Sequence, residues 1–142
     1  MAPTFSWPVR VYYEDTDAGG VVYHSMYLNY FERTRSEWLR AIGIDQRALR
    51  ETERIQFVVV DMKVHWVRPA VYDDLLTVTS APVERRGATL RFHQAIYRGA
   101  DEIARADVRV AALDAVTLRP VRIPAVLVAR LAADDEAAAG GV

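Results

Sequence analysis

The sequence predicts an α+β protein in which a five-stranded antiparallel sheet is wrapped around one long central helix. Three observations support this prediction: a single long segment has helical periodicity, one β-prone segment precedes it, and four β-prone segments follow it in a row. An aromatic-rich helix needs an apolar surface to lie against, and one face of a sheet supplies that surface. At 142 residues, 51% of them hydrophobic, the chain is long enough to bury its own core as one domain, residues 1–142.

The long helix is predicted to begin near His24 and to end at Gly43, because glycine commonly terminates helices. Its apolar face follows the i, i+3, i+4 spacing of an amphipathic helix. The members of that face are Tyr27, Tyr30, Phe31, Thr34, Trp38, Ala41 and Ile42.

The β-prone segments are bounded by turn residues, and several of them alternate apolar and polar side chains, which indicates one buried face for each strand. The predicted strands are Val9–Tyr13, Phe57–Val67, Leu75–Val83, Ala88–Tyr97 and Ile103–Leu113. Three short breaks between the last four favour antiparallel neighbours. Between helix and strands, the segment Asp45–Glu53 is predicted to be helical or irregular.

Composition excludes several classes of function. With 18 basic and 19 acidic residues the net charge is −1, which does not favour nucleic-acid binding. The chain has no cysteine, so thiolate nucleophiles and thiolate zinc sites are excluded, and its three histidines lack ligand spacing, so no metal site is expected. No apolar run is long enough for a membrane span and no secretory signal is visible, so we expect a cytoplasmic protein. The acidic tail from Ala132 to Val142, rich in small residues, is expected to be flexible.

The segment Tyr12–His24 is the strongest candidate for a site. It places three carboxylates, Glu14, Asp15 and Asp17, before two glycines and the start of the aromatic helix. One interpretation is a simple turn, since aspartate before glycine is common in turns and acidic residues favour the positive end of a helix. The other is catalytic: a carboxylate held beside free helix N–H groups can serve acyl transfer without serine or cysteine. The chain has no serine-elbow, zinc-protease or phosphate-loop motif that would offer another mechanism.

The residues from Arg10 to His24, continuing into the helix through Glu32, Arg33 and Arg35, resemble the signature of the 4-hydroxybenzoyl-CoA thioesterase-like hotdog proteins. Within that family they are most similar to the acyl-CoA thioesterases associated with the Tol-Pal system. Further matching segments lie downstream at Phe57-Val58-Val59, Arg68-Pro69-Ala70, Asp73-Asp74-Leu75 and Arg86-Gly87. The resemblance covers most of residues 7 to 130, and it implies a hotdog fold and thioesterase activity.

The resemblance implies that Asp17 is the catalytic carboxylate, acting as nucleophile or as general base. The backbone N–H groups around Tyr23 and His24 would polarise the thioester carbonyl, and the His24 side chain would orient water or the leaving thiol, although a packing or capping role is also open. Glu14 and Asp15 are expected to be structural or to face solvent.

The resemblance also implies an acyl-CoA substrate, or an acyl group on acyl carrier protein, with no metal or redox cofactor. Family members join two sheets edge to edge as dimers and often pair again as tetramers, with the acyl site between protomers. That arrangement fits a sheet whose edge would otherwise be exposed. Because coenzyme A carries several negative charges, basic groups at the pocket mouth should aid binding, and Arg68 and Arg86 are the candidates.

Two alternatives remain open from the sequence. A hotdog dehydratase or hydratase would need a histidine paired with a carboxylate, and His24 with Asp17 could supply that pair. A non-catalytic adaptor would keep the pocket but bind acyl carrier protein or enzymes of phospholipid and envelope metabolism.

Overall fold

The computed structural model describes residues 4–140, with side chains described as far as Ala133, and it confirms the predicted α+β architecture. The elements in chain order are β1 (Phe5–Arg10), α1 (Met26–Ala41), α2 (Gln46–Glu53), β2 (Ile55–Trp66), β3 (Leu75–Arg86), β4 (Thr89–Arg98), β5 (Asp101–Asp114) and α3 (Ala125–Gly140). The segment between Asp45 and Glu53, left open as helical or irregular, is the helix α2, and the Asp45 side chain caps it by accepting from the Ala48 N–H at 3.1 Å.

The five strands form one antiparallel sheet in the order β1-β3-β4-β5-β2. Strands β3, β4 and β5 follow one another as hairpins in the centre, as the short breaks predicted. Strands β1 and β2 are the two edges, and among residues 4–140 each is paired along one side only. The free edge of β2 therefore exposes backbone groups that another strand can pair with.

Helix α1 lies against the sheet with the predicted aromatic face inward. Tyr30 and Phe31 are fully buried, and Trp38 packs edge-on against Phe92 of β4 with ring centroids 5.3 Å apart. The C-terminal end of the predicted apolar face is not buried, because Ala41 is exposed. A residue outside the predicted face, Arg35, is buried with the aromatic side chains.

Most strand boundaries differ from the predictions by a few residues, and two differences change the path of the chain. Strand β1 ends at Arg10 rather than at Tyr13, because Tyr13–Asp15 form a single 3-10 turn that redirects the chain towards α1. Helix α3 was not predicted; its Leu127 and Leu131 are buried in the core. The predicted flexible tail, residues 132–142, lies only partly within the described residues, where the backbone continues α3 to Gly140, and its mobility stays a prediction.

No helix in the described part of the chain combines the length and the hydropathy needed to cross a bilayer. Within residues 4–133, no three histidine or carboxylate side chains lie where they could share a metal ion.

Candidate active site

Asp17 lies in a tight turn, residues 16–22, that leads from β1 into α1; we call it the Asp17 turn. Thr16 and Val22 pair across its base, and the Gly20 N–H donates to the Asp17 carbonyl at 3.0 Å. Gly20 has φ +83°, a conformation that favours glycine. The Gly19 N–H donates to Asp17 Oδ1 at 2.8 Å, and a Cβ on Gly19 would lie 3.1 Å from that oxygen. The two glycines thus permit the turn and hold the exposed carboxylate of Asp17 in one orientation.

The neighbouring Asp15 supports the turn from inside. Its side chain is buried, and Oδ2 accepts from the Tyr12 N–H at 3.0 Å. The buried hydroxyl of Tyr30 lies near this carboxylate without a well-formed hydrogen bond; burial raises the pKa of Tyr30, and the adjacent carboxylate raises it further. Asp15 is therefore structural, as the resemblance implied, whereas Glu14 faces solvent.

The loop between β2 and β3, residues 67–74, fixes the position of the Asp17 turn on the body of the protein. The Val22 N–H donates to the Ala70 carbonyl at 2.9 Å, and the Ala70 N–H donates to the Tyr27 hydroxyl of α1 at 3.1 Å. Burial raises the pKa of Tyr27, and the charges of Asp74 and Asp17 act in the same direction. These hydrogen bonds join the Asp17 turn, the loop and the first turn of α1.

An ion pair braces the same loop. Arg98 on β4 donates to the Asp74 carboxylate at 2.8 Å and to the Pro69 carbonyl at 3.3 Å. The Asp74 carboxylate also accepts from the Val71 N–H at 2.9 Å. The sequence analysis placed Asp74 in a segment that matches the family but assigned it no partner. Its partner stands 24 positions away in the chain, and no local pattern indicates such a pairing.

The start of α1 has free backbone donors. The N-cap residue, Ser25, makes no side-chain capping bond. Among the described residues the N–H groups of His24 and Ser25 have no acceptor, whereas the Tyr23 N–H donates to the Asp15 carbonyl at 2.9 Å. Of the two N–H groups predicted to polarise a carbonyl, that of His24 is free and that of Tyr23 is engaged, because the Asp17 turn needs it for closure.

The side chains of Tyr23 and His24 form an exposed aromatic patch beside the helix start. Their ring centroids are 4.3 Å apart, and Trp66 at the end of β2 approaches His24 edge-on at 6.4 Å. Trp66 is a residue that sequence reasoning missed, because nothing distinguishes it from any other outward residue of a strand. The structure brings Asp17 and His24 to the same end of α1, but their side chains do not contact each other.

The two predicted arginines lie in different places. Arg68 belongs to the loop after β2 and donates through Nη1 to the Glu102 carbonyl at 3.0 Å, so it lies at the same end of the sheet as the site. Arg86 ends β3 at the opposite end of that strand. Eleven residues separate Arg86 from Leu75, about 36 Å of extended chain, so within one protomer Arg86 does not join the Asp17 turn.

This geometry offers a fixed, solvent-accessible carboxylate in the turn that leads into α1, and unpaired N–H groups at the N-terminus of that helix. Such N–H groups stabilise developing negative charge on a carbonyl oxygen, and a carboxylate can attack or activate water. Residues 11–131 match the family model described as the thioesterase-like superfamily.

The chain belongs to the thioesterase-like superfamily. It is 46% identical over 120 residues to the acyl-CoA thioesterase YbgC of Haemophilus influenzae. That alignment covers 84% of this chain and 88% of the relative. It is 44% identical over 126 residues to the acyl-CoA thioester hydrolase YbgC of an Escherichia coli O6:H1 strain, covering 88% of this chain and 93% of that one.

A solved structure gives the same result for the fold. The crystal structure of a probable thioesterase from Bartonella henselae superposes with a TM-score of 0.82 at 38% identity, covering 86% of this chain and all of the other. The family membership confirms the predicted hotdog fold and the predicted class of enzyme, a thioester hydrolase.

Proposed function

We propose that this thioester hydrolase acts on acyl-CoA and that Asp17 is its catalytic carboxylate. One observation carries the proposal: Asp17 is held by the Gly19 N–H at the entrance to α1, where the N–H groups of His24 and Ser25 have no protein acceptor. In this proposal these N–H groups receive the thioester oxygen as charge develops on it, while the carboxylate acts on the carbonyl carbon or on the attacking water. The two named YbgC relatives act on acyl-CoA, which supports this choice of substrate.

Two routes use the same residues. As a general base, Asp17 takes a proton from water, whose oxygen attacks the carbonyl carbon; the C–S bond then breaks, and the thiolate leaves with a proton. As a nucleophile, Asp17 attacks the carbonyl carbon; the C–S bond breaks, the thiolate leaves, and the acyl group stays on Asp17 as a mixed anhydride, which water hydrolyses to release the acid and restore the carboxylate. His24 is proposed to orient the water or the leaving thiol in either route. Arg68 is proposed to contact the phosphates of coenzyme A from the loop after β2.

We further propose that two protomers pair along the free edge of β2, with the acyl site between them, and that pairs associate again as tetramers. A bulge between Val59 and Asp61 breaks the register of β2 with β5. Val59 and Val60 are left 48% and 49% exposed, next to unpaired backbone groups. Association along this edge would cover apolar surface and satisfy those groups. Acyl carrier protein as an alternative acyl donor, cytoplasmic location and association with the Tol-Pal system stay predictions from sequence.

A thiol-release assay over short, long and aromatic acyl-CoAs tests the proposed activity. The expected result is turnover of at least one acyl-CoA by the wild-type protein and its loss in Asp17→Asn. A non-catalytic adaptor would bind acyl carrier protein without releasing thiol. A dehydratase or hydratase would change the absorbance of enoyl-CoA while leaving the thioester intact, so either outcome would contradict the proposal.

A further inference from the structure

A cavity of about 130 Å³ lies under the second half of α1, away from the Asp17 turn. Its walls come from helices α1, α2 and α3 and from strands β2, β4 and β5, and none of residues 12–24 lines it. Most of the lining is apolar: Phe57, Val59, Leu90, Phe92, Val110 and Leu127. An engineered apolar cavity of roughly 150 Å³ is large enough for benzene, so this cavity has room for a ring or a short aliphatic segment.

One charged side chain breaks the apolar lining. Arg35 projects from α1 into this region and is only 9% exposed. Its Nη1 donates to Gln94 Oε1 at 2.9 Å, and no other hydrogen bond of the guanidinium is formed among the described residues. Gln94 is itself held in place, because its Nε2 donates to the Phe31 carbonyl of α1 at 3.0 Å. Burial lowers the pKa of Arg35, yet a guanidinium stays charged at neutral pH.

Among the described residues the other donors of this guanidinium have no partner, and none of them is fully enclosed, so a group bound in the cavity can reach them. The nearest acidic residue on the helix, Glu32, is exposed, and its Oε1 accepts from Ser36 Oγ at 2.8 Å; it does not form an ion pair with Arg35. Glu32 and Ser36 also line the cavity. The cavity thus has apolar walls, a hydrogen-bond donor inside and a negative charge nearby.

We propose that this cavity binds the far end of the acyl group and that Arg35 selects acyl groups whose apolar body carries a neutral oxygen acceptor, such as a hydroxyl. The apolar walls take the body of the group, and the unused donors of Arg35 take the oxygen. A carboxylate is less favoured than a hydroxyl because Glu32 has the same charge. This inference rests on the proposed function, in that it makes Arg35 a specificity-determining residue for acyl-CoA hydrolysis.

The proposed pairing along β2 explains how an acyl group reaches the cavity. Within one chain, Arg35 lies ten residues along α1 from Ser25, about 15 Å from the helix start. In a two-fold pair of antiparallel strands, the Phe57 end of one β2 lies opposite the Trp66 end of the other. Trp66 contacts His24 at the N-terminus of α1. The pairing therefore brings the cavity of one protomer towards the N-terminus of α1 in the partner.

The first test compares three six-carbon substrates that differ only at the far end: hexanoyl-CoA, 6-hydroxyhexanoyl-CoA and adipoyl-CoA. A hydrogen bond to a charged group predicts about a tenfold or larger preference in kcat/KM for the hydroxyl over the methyl end in the wild-type enzyme. In Arg35→Met the ratio should fall to near one. Arg33→Met is the matched control, because Arg33 is exposed on the same helix and contacts only the Tyr30 ring face, with its Cζ 5.9 Å from the centroid.

Equal kcat/KM for the hydroxyl and methyl substrates in the wild-type enzyme would overturn the proposal without recourse to any variant. So would a preference for adipoyl-CoA over the hydroxylated substrate, or a hydroxyl preference that Arg35→Met retains. If Arg35→Met does not fold, Arg35→Lys replaces it; lysine keeps the charge but not the planar fork, so the preference should decrease.

The second test does not depend on thioesterase activity. Phenol and toluene have similar size, and their binding can be followed through the side-chain amide of Gln94 by NMR in the wild-type protein and in Arg35→Met. Phenol should bind more tightly to the wild type, and the order should reverse in the variant. Absence of any thiol release would count against the proposed function, whereas equal binding of phenol and toluene to the wild type would count against the assignment of Arg35.

Discussion

At Asp17, one carboxylate oxygen has a partner and the other does not. Oδ1 accepts from the Gly19 N–H at 2.8 Å, and no other hydrogen bond to this side chain is formed among the described residues. Asparagine at this position keeps an oxygen for the Gly19 N–H but loses the negative charge. The single substitution Asp17→Asn can therefore remove the negative charge while keeping the hydrogen bond that holds the turn.

Asp17→Asn should leave the fold intact and lower kcat by about 10²–10⁴-fold, with KM much less affected, because it removes the group that accepts a proton or attacks. Steady-state kinetics with the best acyl-CoA, together with a thermal unfolding curve, would measure both effects. Glu14→Gln is the control, since Glu14 lies in the preceding single turn and its side chain faces solvent. A folded Asp17→Asn protein with near-wild-type turnover would rule out the catalytic role.

Arg68→Ala should raise KM for acyl-CoA by about 1.5- to 5-fold at low salt, the range expected for losing one exposed charge contact, and by less at high salt. The reason is position: Arg68 is exposed and lies at the end of the sheet that carries the site. Arg86→Ala provides the comparison, because Arg86 lies at the far end of β3. A KM for Arg68→Ala that is unchanged at low salt would remove this arginine from the binding site.

At the scale of elements, the sequence predicted best what depends on periodicity. The inward residues of β4 and β5 alternate as predicted, with Leu90 and Phe92 buried while Arg91 is exposed. The aromatic face of α1 is buried as predicted because its spacing follows the helical period. These features are local, and a local pattern is enough to specify them.

Features set by distant contacts were not predictable in the same way. Arg35 is buried because Gln94, 59 positions away, offers an acceptor, yet by composition it is one of 17 arginines. Helix α3 consists largely of small residues and is placed by the burial of Leu127 and Leu131, not by a strong amphipathic pattern. Within the site, the carboxylate turn was predicted from its spacing, whereas the engagement of the Tyr23 N–H by the Asp15 carbonyl required the tertiary structure.

The turn after β5 gives a prediction for pH dependence. The Thr117 and Val116 N–H groups both donate to Asp114 Oδ1 at 2.8 Å, and these bonds lower the pKa of Asp114 below its ordinary value. A carboxyl with a lowered folded-state pKa contributes stability above its unfolded-state pKa of about 4, and that contribution is lost as the pH falls through the folded-state value.

Asp114→Asn should therefore lower Tm at pH 7 and have little effect at pH 2 to 3, so that the difference in Tm between the two conditions is smaller than in the wild type. Differential scanning calorimetry at both pH values would measure it. Asp101→Asn is the control, because the Asp101 side chain makes no hydrogen bond among the described residues. Equal losses of Tm at both pH values would show that the charge of Asp114 does not act through these N–H groups.

At the scale of the whole molecule, the two sheet edges are not equivalent. Strand β1 has six residues, whereas β2 has twelve and exposes Val59, Val60 and Trp66. Long apolar edges invite pairing with another strand, and in monomeric proteins they are commonly blunted by charges. Only Asp61 and Lys63 carry charge within β2, and Asp61 is engaged by Arg109 of β5, with Nε to Oδ2 at 3.0 Å.

The proposed pairing and the proposed activity can be tested together at Val60, which is 49% exposed and does not line the Arg35 cavity. In a two-fold pair each Val60→Lys substitution brings two like charges to one interface, and an edge lysine also opposes strand pairing. Sedimentation at micromolar concentration should show a dimer or tetramer for the wild type and a folded monomer for Val60→Lys. The value of kcat/KM should be reduced at least tenfold, because the proposed acyl site needs both protomers. Val126→Lys on α3 introduces the same charge at a 54% exposed valine that is not part of the β2 edge and should change neither property. A Val60→Lys monomer with full activity would show that one chain contains the whole site, and the acyl path from the Asp17 turn to Arg35 would then have to run within a single protomer.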